Sequence, residues 1–213
     1  MRLPFTHQQF LDVFGAFNTA WWPAGLALWL LSALAVVALA RGRVPPRLLF
    51  ALLALHWAWS GAAYHLGYFA TINPVARVFG ALFLVQAALF LWVGVSRQPP
   101  PFTWGRAPRQ WLSVALAVYA LAYPLLVLAN GLRWPRMPVS GVPCPTTLFT
   151  IGLLLALEPR RHRELAAIPI LWALVGGSAA VVLGMVPDLA LFAGAICLVT
   201  YVTLPRLLDG RAA

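Results

Sequence analysis

Residues 23–47 read PAGLALWLLSALAVVALARGRVPPR. The run Pro23 to Ala40 contains no charged side chain. It ends in a turn holding Arg41, Arg43 and Arg47 with Pro45 and Pro46. Wound as a helix at about 1.5 Å per residue, such a run approaches the roughly 30 Å of a bilayer's hydrocarbon core. The same alternation of apolar run and Arg/Pro cluster recurs along the chain, and it decides the fold class: an all-α, polytopic transmembrane bundle.

Composition agrees. Of 213 residues, 62% are hydrophobic and 9% charged, where soluble domains carry roughly 25% charged residues. Too few polar side chains remain to wet a soluble globule. The net charge of +10 comes entirely from Arg. These residues flank apolar runs instead of gathering on one stripe, which argues against nucleic acid as a partner. The lipid bilayer is the expected partner, and a bundle this small implies a homo-oligomer or a larger membrane complex.

Outward from the first run, the segments read as follows. Residues 7–21 form an amphipathic helix with capping-box spacing at Thr6 and Gln9. Phe10, Phe14, Phe17 and Trp21 share one face, which predicts a helix lying along the membrane surface. Its apolar residues are broken by Gln8, Gln9, Asp12 and Asn18, unlike a signal peptide. A second span runs from Leu48 to Ala70. A third starts at Asn73-Pro74, with Asn as cap, and reaches about Val95. A Pro- and Arg-rich loop, Ser96 to Arg109, leads to a fourth span over Trp111–Ala129.

Gly131 to Pro145 then carries four prolines, and only Thr146 to Leu157 remains apolar and helical before Glu158. Counted from Pro145, that fifth helix is about 21 Å long, some 9 Å short of the hydrocarbon. Either it sits shallow or Val139–Pro143 descends as extended chain into the protein, where irregular backbone is tolerated only if packed or wetted. The sixth span is Leu165–Met185, with Gly176, Ala180 and Gly184 as a small-residue seam. After a Pro187-Asp188 turn the seventh covers about Leu189–Leu204. The reading is thus about seven spans plus an interfacial helix: residues 1–22 interfacial, 23–206 one transmembrane domain, 207–213 a cytoplasmic tail.

Orientation follows from Arg. Eleven of the fifteen fall in the loops after spans one, three and five and in the tail; four, Arg2, Arg77, Arg133 and Arg136, fall on the other side. The rule that positive loops stay inside places the N-terminus outside and the C-terminus in the cytoplasm of a bacterial inner membrane.

His56-Trp-Ala-Trp-Ser-Gly-Ala-Ala-Tyr-His65, continuing to Ile72-Asn-Pro74, together with Gly141-Val-Pro-Cys-Pro-Thr-Thr147 and Trp172-Ala-Leu-Val-Gly-Gly-Ser178, resembles a family of bacterial multi-span membrane proteins of unknown function, some labelled permease-like. The resemblance covers nearly the whole chain. It implies the fold and the membrane location, and it brings no activity with it.

Chemistry concentrates in the expected outer half. Cys144 directly precedes a helix beginning at Pro145, and a helix N-terminus favours a thiolate or a bound anion. Thr146 and Thr147 add hydroxyls. With His65, Tyr68 and Asp188 these form a predicted ligand site, an outward-opening cavity. His56, Ser60, Tyr64 and Tyr68 share a face at four-residue spacing, and the first three are proton-relay candidates. His56 and His65 point about 180° apart on a straight helix and cannot share a metal there. The alternative for Asp188 is a helix cap; Gln86 reads as an interhelical hydrogen-bonder. Glu158, Glu164, Arg160, Arg161 and Arg163 read as a solvated ion-pair cluster, with His7 and His162 on the surface. No zinc-protease, phosphate-loop or nucleophile-elbow signature occurs. Cofactors stay undetermined, including haem held by histidines of two helices. Three functional readings stand: a small-solute or ion permease or binding protein, a membrane enzyme using Cys144 and His65, or an accessory subunit of a larger complex.

Overall fold

The computed structural model describes residues 4–157 and 163–209. Among these the chain is all helical, without strands. The Glu158–Arg161 part of the expected ion-pair cluster, His162, Arg2 and residues 210–213 of the tail lie outside the described residues.

Helix α1 spans His7–Ala40 and opens with the anticipated capping box: Thr6 N–H donates to Gln9 Oε1 at 2.8 Å, and Gln9 N–H to Thr6 Oγ1 at 3.2 Å. The expected boundary between interfacial helix and first span is a kink within this one helix. Trp21 leaves helical geometry (φ −125°, ψ 15°) two residues before Pro23, whose ring clashes with the preceding turn and has no N–H to donate. The aromatic stripe is directed otherwise than expected. Phe14 and Phe17 are buried against Tyr64, at 5.5 and 5.4 Å between ring centres, and Phe10 meets Phe69 edge-on. The apolar face of residues 7–20 therefore packs on protein instead of lying in lipid.

Helix α2 covers Pro46–Trp59 and continues as a π-helical segment, Ser60–Leu66, then a short turn at Phe69–Thr71. The second span is thus one stretch of two geometries, where a single regular helix is expected. A π turn carries i→i+5 bonds, as in Gly67 N–H to Ala62 O at 3.1 Å, and it rotates every later side chain relative to the α2 face. Gly61 sits at the crossing with helix α3, Ala76–Gly94: a Cβ on Gly61 would lie 2.9 Å from the Gly80 carbonyl oxygen. A neighbouring helix thus fills the side of Gly61. Helix α3 begins three residues after Asn73, whose Oδ1 accepts from Val75 N–H inside the preceding turn. Gln86 donates to the Leu165 carbonyl at 3.1 Å, the interhelical bond its position suggests.

Helix α4, Pro108–Ala129, packs along helix α5, Pro143–Leu154, which stands at the centre. All of α5 except Cys144 is buried, as expected for a helix apolar all round. It starts two residues earlier than anticipated. The chain from Met137 to Pro143 runs into the bundle, with Ser140 O beside Gly25 of α1 and Gly141 against Leu28 and Trp59. Gly141 has φ +89° and no room for a Cβ, so glycine is required there. At the other end of α5 the unpaired carbonyls have partners: Arg109 donates to Leu155 O and Leu157 O, both at 2.8 Å, and Thr103 N–H to Ala156 O at 2.9 Å. A residue expected only as a topological charge is a helix C-terminal cap.

Helices α6, Ala167–Leu183, and α7, Ala190–Thr203, pair through Gly176 and Gly177; a short α8 follows at Pro205–Asp209, where a tail is expected. Gly184 is no part of the seam. It ends α6 in left-handed geometry (φ 66°) and is exposed. Among the described residues five helices, His7–Ala40, Ala76–Gly94, Pro108–Ala129, Arg163–Leu183 and Val186–Thr203, are long and apolar enough to cross a membrane. The difference from the expected seven has two causes: the π turn divides the stretch read as a second span, and α5 is short.

Asn18 links the ends of this architecture. Its amide donates to Pro135 O at 2.6 Å and Met137 O at 2.7 Å, in a fully buried position. Asp12 pairs with Arg136 at 2.9 Å nearby. Asn18→Ala removes both bonds, stranding Met137 O while Pro135 O still accepts from Met137 N–H at 3.0 Å, and is expected to lower stability by about 2 kcal/mol; Asp12→Ala, whose pair is solvent-exposed, is expected to change it by less than about 1 kcal/mol. Thermal unfolding of both variants checks the order.

Candidate functional site

The first turn of α5 distributes the predicted site residues over two faces. Residues 144 and 147 share one side and residue 146 points elsewhere, because i and i+3 are neighbours on a helix and i and i+2 are not. Two buried polar clusters result.

The first joins α1, α2 and α5. Ser32 Oγ donates to Leu28 O at 2.8 Å and lies 2.8 Å from His56 Nε2. With its proton committed to Leu28, Ser32 accepts, so His56 donates through Nε2. His56 Nδ1 is then an acceptor, and the Thr146 hydroxyl faces it at 3.4 Å. A cavity with room for about one water molecule adjoins Ser32, His56, Ser140 and Thr146. Thr150 completes the α2 contact, accepting from Trp57 Nε1 at 2.8 Å.

The second joins α4, α5, α6 and the turn before α7. Asp188 is buried, and its Oδ1 accepts from the Tyr123 hydroxyl. The Cys144 thiol is within hydrogen-bonding reach of the same carboxyl. Asp188 therefore ties the 186–189 turn to α4 and α5 instead of capping a helix. Tyr119 adds a bond to Pro187 O at 2.8 Å. The Trp172 indole N–H reaches toward Cys144 sulfur without closing a good hydrogen bond. Tyr123 stands in no segment singled out by sequence, and Trp172 opens one that carries resemblance without a role; the roles of both follow from the way helices pack.

His65 borders this second cluster. The π turn directs its ring into the protein, fully buried, between Phe83 at 4.6 Å and Trp172 at 5.0 Å. Its Nδ1 lies 3.0 Å from Ser60 O. Tyr68 instead packs edge-on to Phe17, in the N-terminal aromatic cluster. The proposed ladder of His56, Ser60 and Tyr64 is not linked by hydrogen bonds among the described residues: His56 bonds toward Ser32, Ser60 Oγ has no partner, and Tyr64 stacks on Phe14.

The start of α5 differs chemically from a typical helix N-terminus. Pro143 and Pro145 have no N–H, and Thr146 N–H already donates to Val142 O at 3.2 Å. Of the first four donors only that of Cys144 remains, so an anion finds little to bind here. Among the described residues no three His, Cys, Asp or Glu side chains gather as a metal site.

No curated protein and no solved structure matches the chain. The pattern of a family of unknown function, DUF6064, matches residues 7–212. With nearly the whole chain covered, this all-helical protein belongs to DUF6064.

Proposed function

We propose that the protein is a multi-pass component of a bacterial inner membrane that binds, and as a permease conducts, a small solute or ion at the start of α5. One observation carries this reading: Asp188, a buried carboxyl among apolar helices, is bonded by Tyr123 and neighboured by Cys144. Ionisable groups at membrane depth are costly and mark solute or proton paths. A short, central helix entered by extended chain also resembles the interrupted helices at which transporters place their sites. Seven crossings follow when α2 with its π turn counts as one and α5 as another; the Arg distribution then leaves the N-terminus outside.

The enzyme reading has less support. Its nucleophile would need His65 as base, but the Nδ1 of that ring is bonded to Ser60 O, and no bond joins it to Cys144 among the described residues.

The test is reconstitution in liposomes, with proton flux read by an entrapped pH dye and neutral solutes read by osmotic swelling. Asp188→Asn is expected to slow the conducted species at least tenfold while keeping the unfolding temperature within a few degrees. Cysteines placed at exposed Val186 and Arg106, in a chain lacking Cys144 and Cys197, are expected to label from opposite faces. Absence of any flux, combined with co-purifying membrane subunits, overturns the permease reading in favour of an accessory subunit.

A further inference from the structure

The walls around His65 contain more hydrogen-bonding capacity than the protein uses. Ser60 Oγ, His65 Nε2 and Thr147 Oγ1 belong to fully buried side chains and have no partner; Trp172 Nε1 has only the weak Cys144 sulfur beside it. Native proteins rarely leave buried polar atoms unpaired, and an apolar surrounding makes each more costly. The elements that carry them adjoin. Ser60 and His65 are joined through the Ser60 carbonyl, the His65 ring packs on Trp172, Trp172 reaches Cys144, and Thr147 lies one turn beyond Cys144 on the same face of α5.

Their chemistry defines what would fill the gap. A carbonyl can only accept, so His65 donates to Ser60 O through Nδ1, and the neutral ring presents a bare lone pair at Nε2. That atom needs a donor. The Trp172 N–H needs an acceptor. The two hydroxyls take either role. An anion without a proton cannot donate to Nε2, and a cation such as ammonium cannot accept from the indole. We propose that the space between the π turn, α5 and α6 holds a small neutral hydroxyl ligand, either water or a short alcohol or polyol, bonded to His65 Nε2, Thr147 and Ser60. This deepens the reading of the α5 start as a binding site and rests on it, though not on transport.

Thr147→Val separates a filled site from an empty one. If the hydroxyl is truly unpaired, the isosteric valine removes an uncompensated polar group, and stability rises or is unchanged. If a ligand bonds it, valine strands that ligand, and the expected result is a fall in Tm of roughly 3 °C or more. Thr147→Ser, which keeps the hydroxyl, is expected to retain the His65 signal described next. In the full chain in nanodiscs, the ¹⁵N resonance of His65 Nε2 is expected at the position of a hydrogen-bonded acceptor and to move in Thr147→Val. Glycerol identifies the source: a Nε2 resonance that moves with added glycerol in wild type but not in Thr147→Val assigns a polyol, and one that does not move assigns water. A resonance at the unbonded position, or a Tm that holds or rises in Thr147→Val, overturns the proposal. Neither readout depends on flux, so a failed Asp188→Asn transport result leaves this outcome legible by itself.

Discussion

Arg109→Ala is expected to be among the most damaging single substitutions, lowering the unfolding temperature by roughly 6–12 °C and reducing the yield of folded protein. The guanidinium donates to both Leu155 O and Leu157 O at the end of α5, and both of those residues are buried. Charge-assisted bonds of this kind contribute about 1.5–3 kcal/mol each; Leu157 O keeps a bond from the Tyr201 hydroxyl at 3.3 Å, so the cost of a stranded carbonyl falls on Leu155 O. The favourable position of a cation at a helix C-terminus adds to the loss. Lysine at this position, with one compact ammonium in place of a fork, is expected to recover less than half. Arg106, exposed and only three residues away, serves as comparison; its alanine variant is expected to shift stability by no more than about 0.5 kcal/mol. Thermal unfolding followed by size-exclusion chromatography measures all three. Equal behaviour of the Arg109 and Arg106 variants would show that α5 is held at its end by other means.

Gly152→Val is expected to prevent α4 and α5 from packing. A Cβ at Gly152 would lie 2.9 Å from Ala117 N and 3.1 Å from Ser113 O, both backbone atoms of α4. Backbone cannot rotate aside as a side chain can, so two packed helices must separate. Overpacking alone costs about 1–3 kcal/mol. Here the separation also breaks the bond from Ser113 Oγ to Gly152 O, in a helix buried on every side. Little or no folded monomer is the expected result in detergent, with Gly152→Ala intermediate. Gly131→Ala provides a contrast: it has no neighbour within 4 Å, only an unfavourable φ of +92°, and is expected to cost about 1 kcal/mol. If Gly152→Val folds as well as Gly131→Ala, the helices are not held at this distance.

What can be read from a sequence depends on how local its cause is. The short α5 and the extended chain before it are legible because Pro135, Pro138, Gly141, Pro143 and Pro145 constrain their own backbone. The π turn is not. Ser60–Leu66 reads as ordinary helix, and the close crossing of Gly61 on Gly80 involves residues far apart in sequence. Missing that turn placed His65 by a 100° rule that does not apply there. The stripe Phe10, Phe14, Phe17 states that a face is apolar but not whether lipid or protein covers it. Arg109 counts in a charge tally whatever it touches, so its role on α5 is invisible to that rule. Cys144 and Asp188 are both candidates from sequence, yet Tyr123 and Trp172, which complete their surroundings, look like any other aromatic residues of apolar helices.

The Asn18 clasp also bears on the order of events during synthesis. Its two acceptors, Pro135 O and Met137 O, lie 117 and 119 residues downstream. At roughly 5–20 residues per second, the ribosome needs about 6–24 s after making Asn18 to make them. Throughout that interval the first fourteen residues of α1 can lodge only provisionally, with a polar amide awaiting its carbonyls. This segment is therefore locked in place well after it is made, although the carbonyls that hold it face it across a break in its own helix at Trp21.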